Sequence, residues 1–372
     1  MESLKRYLGW IAVFVLLYFF LTSIDLIGVA FKLFGKDFAL GLIKSTSNPF
    51  VALFVGLLST SIIQSSSTTT SITVGLVAAG VLPIENAIPI VMGANIGTSV
   101  TNMLVSLGHI TRSDEFERAF SGAIIHDFFN LITAFVLLPV ELATGYLQRT
   151  AECISKLLVG VGGGTTHQSP LKLIVKPVAH GVEKLFVDIM GIHARPAGIL
   201  ILILSLVTLF FSLFFLVRLM KILMMNRLEI VFDRYIARND VIAFVMGLSF
   251  TVLVQSSSVT TSLLVPLLAA GVLTLEQAFP MTLGANLGTT ITALLASMVG
   301  NVQGLTIAIV HLLFNISGIL LIYPIRPIRR IPIAMARWMG YHGTRKKWIV
   351  AVFILGVFFI IPGLLILISY NL

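Results

Sequence analysis

Residues 64–73 read QSSSTTTSIT, a hydroxyl-rich run set inside a chain that is otherwise strongly apolar. Of the 372 residues, 57% are hydrophobic and only 11% are charged, with a mean hydropathy of +1.01. A soluble domain carries about 25% charged residues, so this composition is that of an integral membrane protein and excludes a large-cored soluble enzyme. Apolar stretches of about 20 residues, enough to cross a bilayer core as helix, recur along the whole length. Barrel strands would instead alternate polar and apolar over only ~10 residues. The fold class predicted is therefore an all-α polytopic membrane protein. In such a chain QSSSTTTSIT is anomalous, and residues 255–262, QSSSVTTS, repeat the anomaly.

The predicted spans are 7–31, 86–107, 119–140, 195–217, 278–299, 305–323 and 348–369. Two further apolar stretches, 49–82 and 241–272, are each split in the middle by one of the polar runs. Each half is roughly 15 residues, or ~22 Å of helix, too short for a ~30 Å hydrocarbon core. Each stretch is expected to be a re-entrant hairpin with QSSS at its tip. Broken backbone persists at membrane depth only where it is buried in protein or lines a watery cavity.

The polar runs belong to an internal repeat. At a shift of 191, residues 48–102 fall on 239–293 without a gap, and roughly half the positions are identical. AAGVL recurs at 78–82 and 269–273, while GANIGTSVT (93–101) meets GANLGTTIT (284–292). IHDFFN (125–130) then resembles VHLLFN (310–315). The expected organisation is an N-terminal helix (1–36), a first repeat (37–140), an external segment with an amphipathic part (141–194), a second repeat with its preceding helix (195–323), and a basic cytoplasmic segment with a final span (324–372).

Threading the chain from a cytoplasmic Lys5 and Arg6 puts three crossings between the hairpins, so the second repeat is expected to be inverted relative to the first. That threading leaves 16 of the 25 Lys and Arg in the cytoplasm, as the positive-inside rule requires. The same rule accounts for the net charge of +9, which in a soluble chain would suggest nucleic acid; no nucleic-acid partner is expected. The first apolar run continues past Asp25 without a small-residue cleavage site, and so reads as a retained helix rather than a signal peptide. With one cysteine, Cys153, there is no intramolecular disulfide and no cysteine metal site.

A tip of this kind closes one half-helix and opens another. The opening half presents unpaired N–H groups and the positive dipole end, suited to an anion. The closing half presents carbonyls which, with Ser, Thr, Gln and Asn oxygens, suit a small hard cation. Two opposed tips thus offer an anion site without a buried Lys or Arg. The anion-site candidates are Gln64, Ser65, Ser66, Ser67, Gln255, Ser256, Ser257 and Ser258. Candidate cation ligands are Gln64, Thr68, Thr69, Thr70, Asn95, Thr98, Gln255, Thr260, Thr261, Asn286 and Thr289, with Asp127, Asn130 and Asn315 behind them. For all of these the competing role is structural: Ser and Thr bond their own helix backbone, small residues permit close helix packing, and Asp127 anchors its helix. Glu85 and Glu276 read as helix-start residues. An intramembrane serine hydrolase needs a serine held against a base; there is no G-x-S-x-G here, and the serines stand in clusters. A channel, which also uses re-entrant loops, stays open as an alternative.

With QSSSTTTS, GANIGTSVTN, HDFFN, QSSSVTTS, GANLGTT and HLLFNISGILLIYP, the sequence resembles the type II sodium–phosphate cotransporter family over about 40–140 and 240–370. The resemblance implies sodium-driven uptake of inorganic phosphate across the plasma membrane by alternating access, with the two QSSS regions forming the substrate and sodium sites. It implies no cofactor beyond Na+ as coupling ion. Another small oxyanion remains the alternative substrate. A short external loop lacking the loop disulfide of animal members, and the absence of their final extra helix and tail, fit a prokaryotic member with its C-terminus outside.

Overall fold

The computed structural model describes residues 2–161, 170–235 and 239–371. Residues 162–169 of the expected external segment, and 236–238 with Arg238 before the second apolar stretch, lie outside these residues. The described residues are helical throughout. Helix α1 (Glu2–Phe34) leads into the short α2 (Lys36–Ser45), which turns by 98° into α3 (Pro49–Ile63). Then come α4 (Ser66–Ala78), α5 (Ile84–Ile96), a 3-10 turn at Gly97–Ser99, and α6 (Val100–Ser106). Helix α7 (Ser113–Thr144) is followed by α8 (Tyr146–Val161) and α9 (Pro170–Lys184), and these two occupy the expected external segment. The second half comprises α10 (Ala194–Tyr235), α11 (Asp240–Val254), α12 (Ser257–Ala269), α13 (Leu275–Ser297) and α14 (Val302–Ile322). Helix α15 (Arg326–Arg345) then precedes α16 (Lys347–Val352), a π-helical stretch at Phe353–Ile360, and α17 (Ile361–Asn371). Among the described residues six helices are long and apolar enough to cross a membrane, and three of them, 84–109, 113–144 and 194–220, fall between the two QSSS runs.

Two basic stretches outside the expected spans, 218–235 and most of 324–347, are helical. Residues 218–235 continue α10, because nothing from Arg218 to Tyr235 is Gly or Pro and each residue can propagate the preceding turn. Segment 324–347 is mostly α15, entered through Pro327 in its first turn, where a missing N–H costs nothing. It buries Ile333, Ala336, Gly340 and Gly343, the last two facing Ser121 and Phe120 of α7. The stripe from Ile333 to Gly343 is thereby covered by protein, while Ile331 and Trp338 stay exposed.

The two repeats build the same contacts. Helix α3 crosses α5 so closely that a Cβ on Gly93 would overlap the Leu53 carbonyl and stand 2.9 Å from the Leu57 nitrogen. In the second repeat Gly284 of α13 meets the Phe244 carbonyl and the Leu248 nitrogen (2.8 Å) of α11 in the same way. Only a residue without a side chain fits at such a crossing. The ends of α4 and α12 are held alike: Asn301 Nδ2 donates to the Ala78 carbonyl (3.1 Å), and Arg118 donates to the Ala269 carbonyl (2.6 Å from Nη2). Helices α1 and α10, which precede the two repeats, pack along each other through Leu26, Ala30 and Ile201 and, further along, Val13, Leu216 and Met220.

Candidate functional site

Each QSSS run interrupts a helix by the same backbone route. Gln64 (φ 57°, ψ 28°) and Gln255 (φ 59°, ψ 26°) end α3 and α11 in the left-handed conformation, the only non-glycine residues with positive φ among those described. The next residue is extended in both, Ser65 at −151°, 104° and Ser256 at −151°, 110°. The hydroxyl of each serine caps the following helix, accepting from Thr68 N (3.2 Å) and Val259 N (3.3 Å) respectively. A left-handed glutamine costs roughly 1–2 kcal/mol; glycine would remove that cost, so its use twice points to a role for the side chain. At a helix start the first N–H groups have no partner within the helix, which leaves those of Ser66, Ser67, Ser257 and Ser258 free to bind.

Both tips line one cavity of about 460 Å³. Gln64 to Thr68 form one wall and Gln255 to Ser258 another, and α10 closes the third with Phe210, Leu213, Phe214, Val217 and Arg218. The α10 wall was not foreseen. Its residues are ordinary apolar positions of a membrane helix, and only their placement opposite the tips gives them a role. Arg218, one residue past the expected span 195–217, is exposed and stands at the cavity lining, so the tips share their space with a guanidinium that is not buried. Among the described residues no acidic side chain lines the cavity. Two helix N-termini and one guanidinium therefore give it a field that favours an anion.

The remaining candidates lie apart from this lining, in a buried polar network between the repeats. Asn286 Nδ2 donates to Asn130 Oδ1 (2.9 Å) and Asn315 Oδ1 (3.1 Å). Asn130 Nδ2 donates to the Asn95 carbonyl (3.0 Å), and His311 Nε2 lies 3.1 Å from Asn95 Oδ1. His126 spans Ser99 Oγ (3.1 Å) and Asn130 Nδ2 (3.0 Å). Asp127, next in the chain, is 3% exposed, and neither carboxylate oxygen has a hydrogen-bond partner. Asn102, which was not singled out from sequence, joins α6 to α12 by donating to Thr261 Oγ1 (2.8 Å) and accepting from Ser262 Oγ (2.9 Å). The hydroxyls of Thr69, Thr70, Thr98, Thr260, Thr261 and Thr289 each donate to a carbonyl four residues earlier. A hydroxyl bonded this way keeps lone pairs for a cation, so the bond and a ligand role are compatible.

The family model described as Na+/Pi-cotransporter matches residues 19–163 and 208–361, taking in both tips and the whole Asn/His network. The chain belongs to this family. It is 36% identical over 425 residues to sodium-dependent phosphate transport protein 2A of Rattus norvegicus, covering 95% of this chain and 66% of that one. Sodium-dependent phosphate transport protein 2A of Ovis aries matches at 36% over 425 residues (94% and 66%), and protein 2B of Homo sapiens at 35% over 440 residues (93% and 63%). This family member thus spans about two thirds of the length of the curated relatives it matches. No solved structure matches it.

Proposed function

We propose that the chain is a sodium-coupled symporter that imports inorganic phosphate across the cell membrane by alternating access. The observation that carries this reading is the shared cavity: two equivalent QSSS tips from two repeats meet around one space that has anion donors and, among the described residues, no acidic side chain. Family membership and the names of the relatives, which are sodium-dependent phosphate transport proteins, support phosphate and sodium as the species moved.

In the mechanism, phosphate is held by the N–H and hydroxyl groups of Ser65 to Ser67 and Ser256 to Ser258, with Gln64 and Gln255 at the turns. Sodium ions bind to oxygens behind the tips, drawn from Thr68, Thr69, Thr70, Thr98, Thr260, Thr261 and Thr289, from Asn95 and Asn286, and from Asp127 with Asn130 and Asn315. The unpartnered Asp127 carboxylate supports that last assignment, since a buried charge without a partner costs several kcal/mol and a bound cation removes the cost. Sodium balances the anion's charge, and each charge moved with the potential gains ~2.3 kcal/mol per 100 mV. The two QSSS helix pairs are re-entrant hairpins of inverted repeats, an arrangement that the three intervening spans support. The N-terminus is cytoplasmic and the C-terminus external.

The test is radiolabelled phosphate uptake into proteoliposomes under inward sodium, potassium or proton gradients. Concentrative uptake with sodium alone is expected. Uptake indifferent to sodium would overturn the coupling, and ion currents far faster than transporter turnover would point to a channel.

A further inference from the structure

The two repeats share a backbone but not a bonding pattern, and the difference is systematic. In the second repeat Thr292 Oγ1 donates to Gln255 Oε1 (2.9 Å) while Gln255 Nε2 donates to the Val252 carbonyl (2.5 Å), so the tip glutamine is tied back to α13. In the first repeat the residue equivalent to Thr292 is Thr101, at the shift of 191 that aligns Gln64 with Gln255. The Thr101 hydroxyl is buried with no partner, and Gln64 is exposed at the cavity. Two more pairs follow the same rule. Thr251 bonds Thr260 across the second tip (2.7 Å), whereas its equivalent Thr60 has an unpartnered buried hydroxyl. Ser262 donates to Asn102, whereas its equivalent Ser71 is likewise unpartnered. The unpartnered buried hydroxyls among the described residues are thus Thr60, Ser71 and Thr101, all in the first repeat, and every one has a bonded counterpart in the second.

We infer that Thr101 and Thr292 are paired positioning residues, alternate anchors for the tip glutamines. The structure holds one anchor closed, Gln255 on Thr292, and the other released, with Gln64 swung toward the cavity away from Thr101. Buried hydroxyls are rarely left unbonded, and each one costs free energy comparable to a lost hydrogen bond. Nothing in the backbone explains the deficit, because the turn angles of the two tips agree within 6° (ψ 104° at Ser65 against 110° at Ser256) and the glycine crossings match. The missing bonds are therefore those of a second conformation, in which Gln64 closes on Thr101 and Gln255 lets go of Thr292. Exchanging one anchor for the other conserves the number of bonds, so the two conformations stay close in energy, as a two-state carrier requires. This inference rests on the alternating-access reading, and it concerns which side chains mark the two states.

The test compares Thr101→Val with Thr292→Val, each nearly the volume of threonine but without the hydroxyl. Each is measured in proteoliposomes for maximal uptake rate and half-saturating sodium, with Thr→Ser at the same site as rescue. The expected result is a three- to ten-fold loss of maximal rate in both valine variants, the size of one hydrogen bond, with half-saturating sodium unchanged and rate restored by serine. Wild-type rate in Thr101→Val, the outcome expected of a residue that bonds nothing, would overturn the inference. A loss recovered entirely by raising sodium would also overturn it, by making Thr101 a cation ligand. A readout independent of transport keeps both glutamines and uses the single substitutions Thr101→Cys and Thr292→Cys, each in Cys153→Ser, with a small thiol reagent. Modification rates at the two positions should change in opposite directions when sodium and phosphate are added. Rates that rise together, or do not move in variants that still take up phosphate, would sink the exchange and leave the transport reading standing.

Discussion

Adding one methyl group at Gly93 probes whether the close crossing of α3 and α5 holds the first tip in place. The new Cβ would stand 2.9 Å from the Leu57 nitrogen and would overlap the Leu53 carbonyl. Ordinary contact distances begin near ~3.5 Å, so the helices must part by at least ~0.6 Å, and the obstacle is backbone that cannot rotate away. Overpacking of this kind costs about 1–3 kcal/mol. Overlap with a backbone carbonyl puts the cost at the upper end of that range, and replacing a helical glycine by alanine returns roughly 0.5–1 kcal/mol, which leaves a net loss on the order of 2 kcal/mol. Gly284→Ala meets the same geometry in the second repeat and should lose a similar amount. Gly41, inside α2, has nothing within 4 Å of its would-be Cβ, so Gly41→Ala keeps only the gain. Thermal unfolding of purified protein in detergent, followed by the monodisperse fraction that survives heating, reads the sign directly. Domains of 150–250 residues shift by about 2–4 °C per kcal/mol, and a chain this long shifts less, so drops of a few degrees are expected for Gly93→Ala and Gly284→Ala. A Gly93→Ala protein that melts at or above wild type would refute the crossing.

Three further outcomes are expected. Gln64→Ala and Ser257→Ala should each abolish most sodium-driven uptake at normal expression; wild-type uptake in both would remove the tips from the site. Asn102→Ala and Ser262→Ala should couple in a double-mutant cycle by about 0.6 kcal/mol, and no more than ~1.7 kcal/mol, the range for buried polar contacts between membrane helices; strict additivity would mean that the bond between α6 and α12 is not formed. In a Cys153→Ser background, an impermeant maleimide applied to intact cells should label Lys44→Cys and spare Lys346→Cys, and the reverse pattern would overturn the proposed threading.

Much of the local architecture was legible because the repeat is strong and the bilayer leaves few options. The half-helices 49–63 and 66–78, too short to span, followed from counting apolar residues on either side of QSSS, and so did their counterparts at 240–254 and 257–269. The cavity was legible only in part. Its serines announce themselves as polar residues in a greasy chain, but Phe210, Phe214 and Val217 carry no mark that separates them from lipid-facing positions of α10. Arg218 reads as a loop cation until α10 is seen to run on past it. The packing of α15 onto α7 was hidden by seven basic residues between 326 and 347, whose charge drew attention from the small, buried Ala336, Gly340 and Gly343. The unequal bonding of Thr101 and Thr292 could not be read at all, since the two lie in almost identical sequence, GTSVT and GTTIT.

The central claim is that the two tips make one phosphate site, not two. Equilibrium binding of radiolabelled phosphate to the purified full chain, in sodium and in potassium, tests it most directly, with Ser66→Ala and Ser257→Ala measured beside wild type. The account predicts one phosphate per chain, sodium-dependent, with binding lost or severely weakened by either substitution alone. Two phosphates per chain, or half the binding capacity surviving undisturbed in each variant, would contradict it.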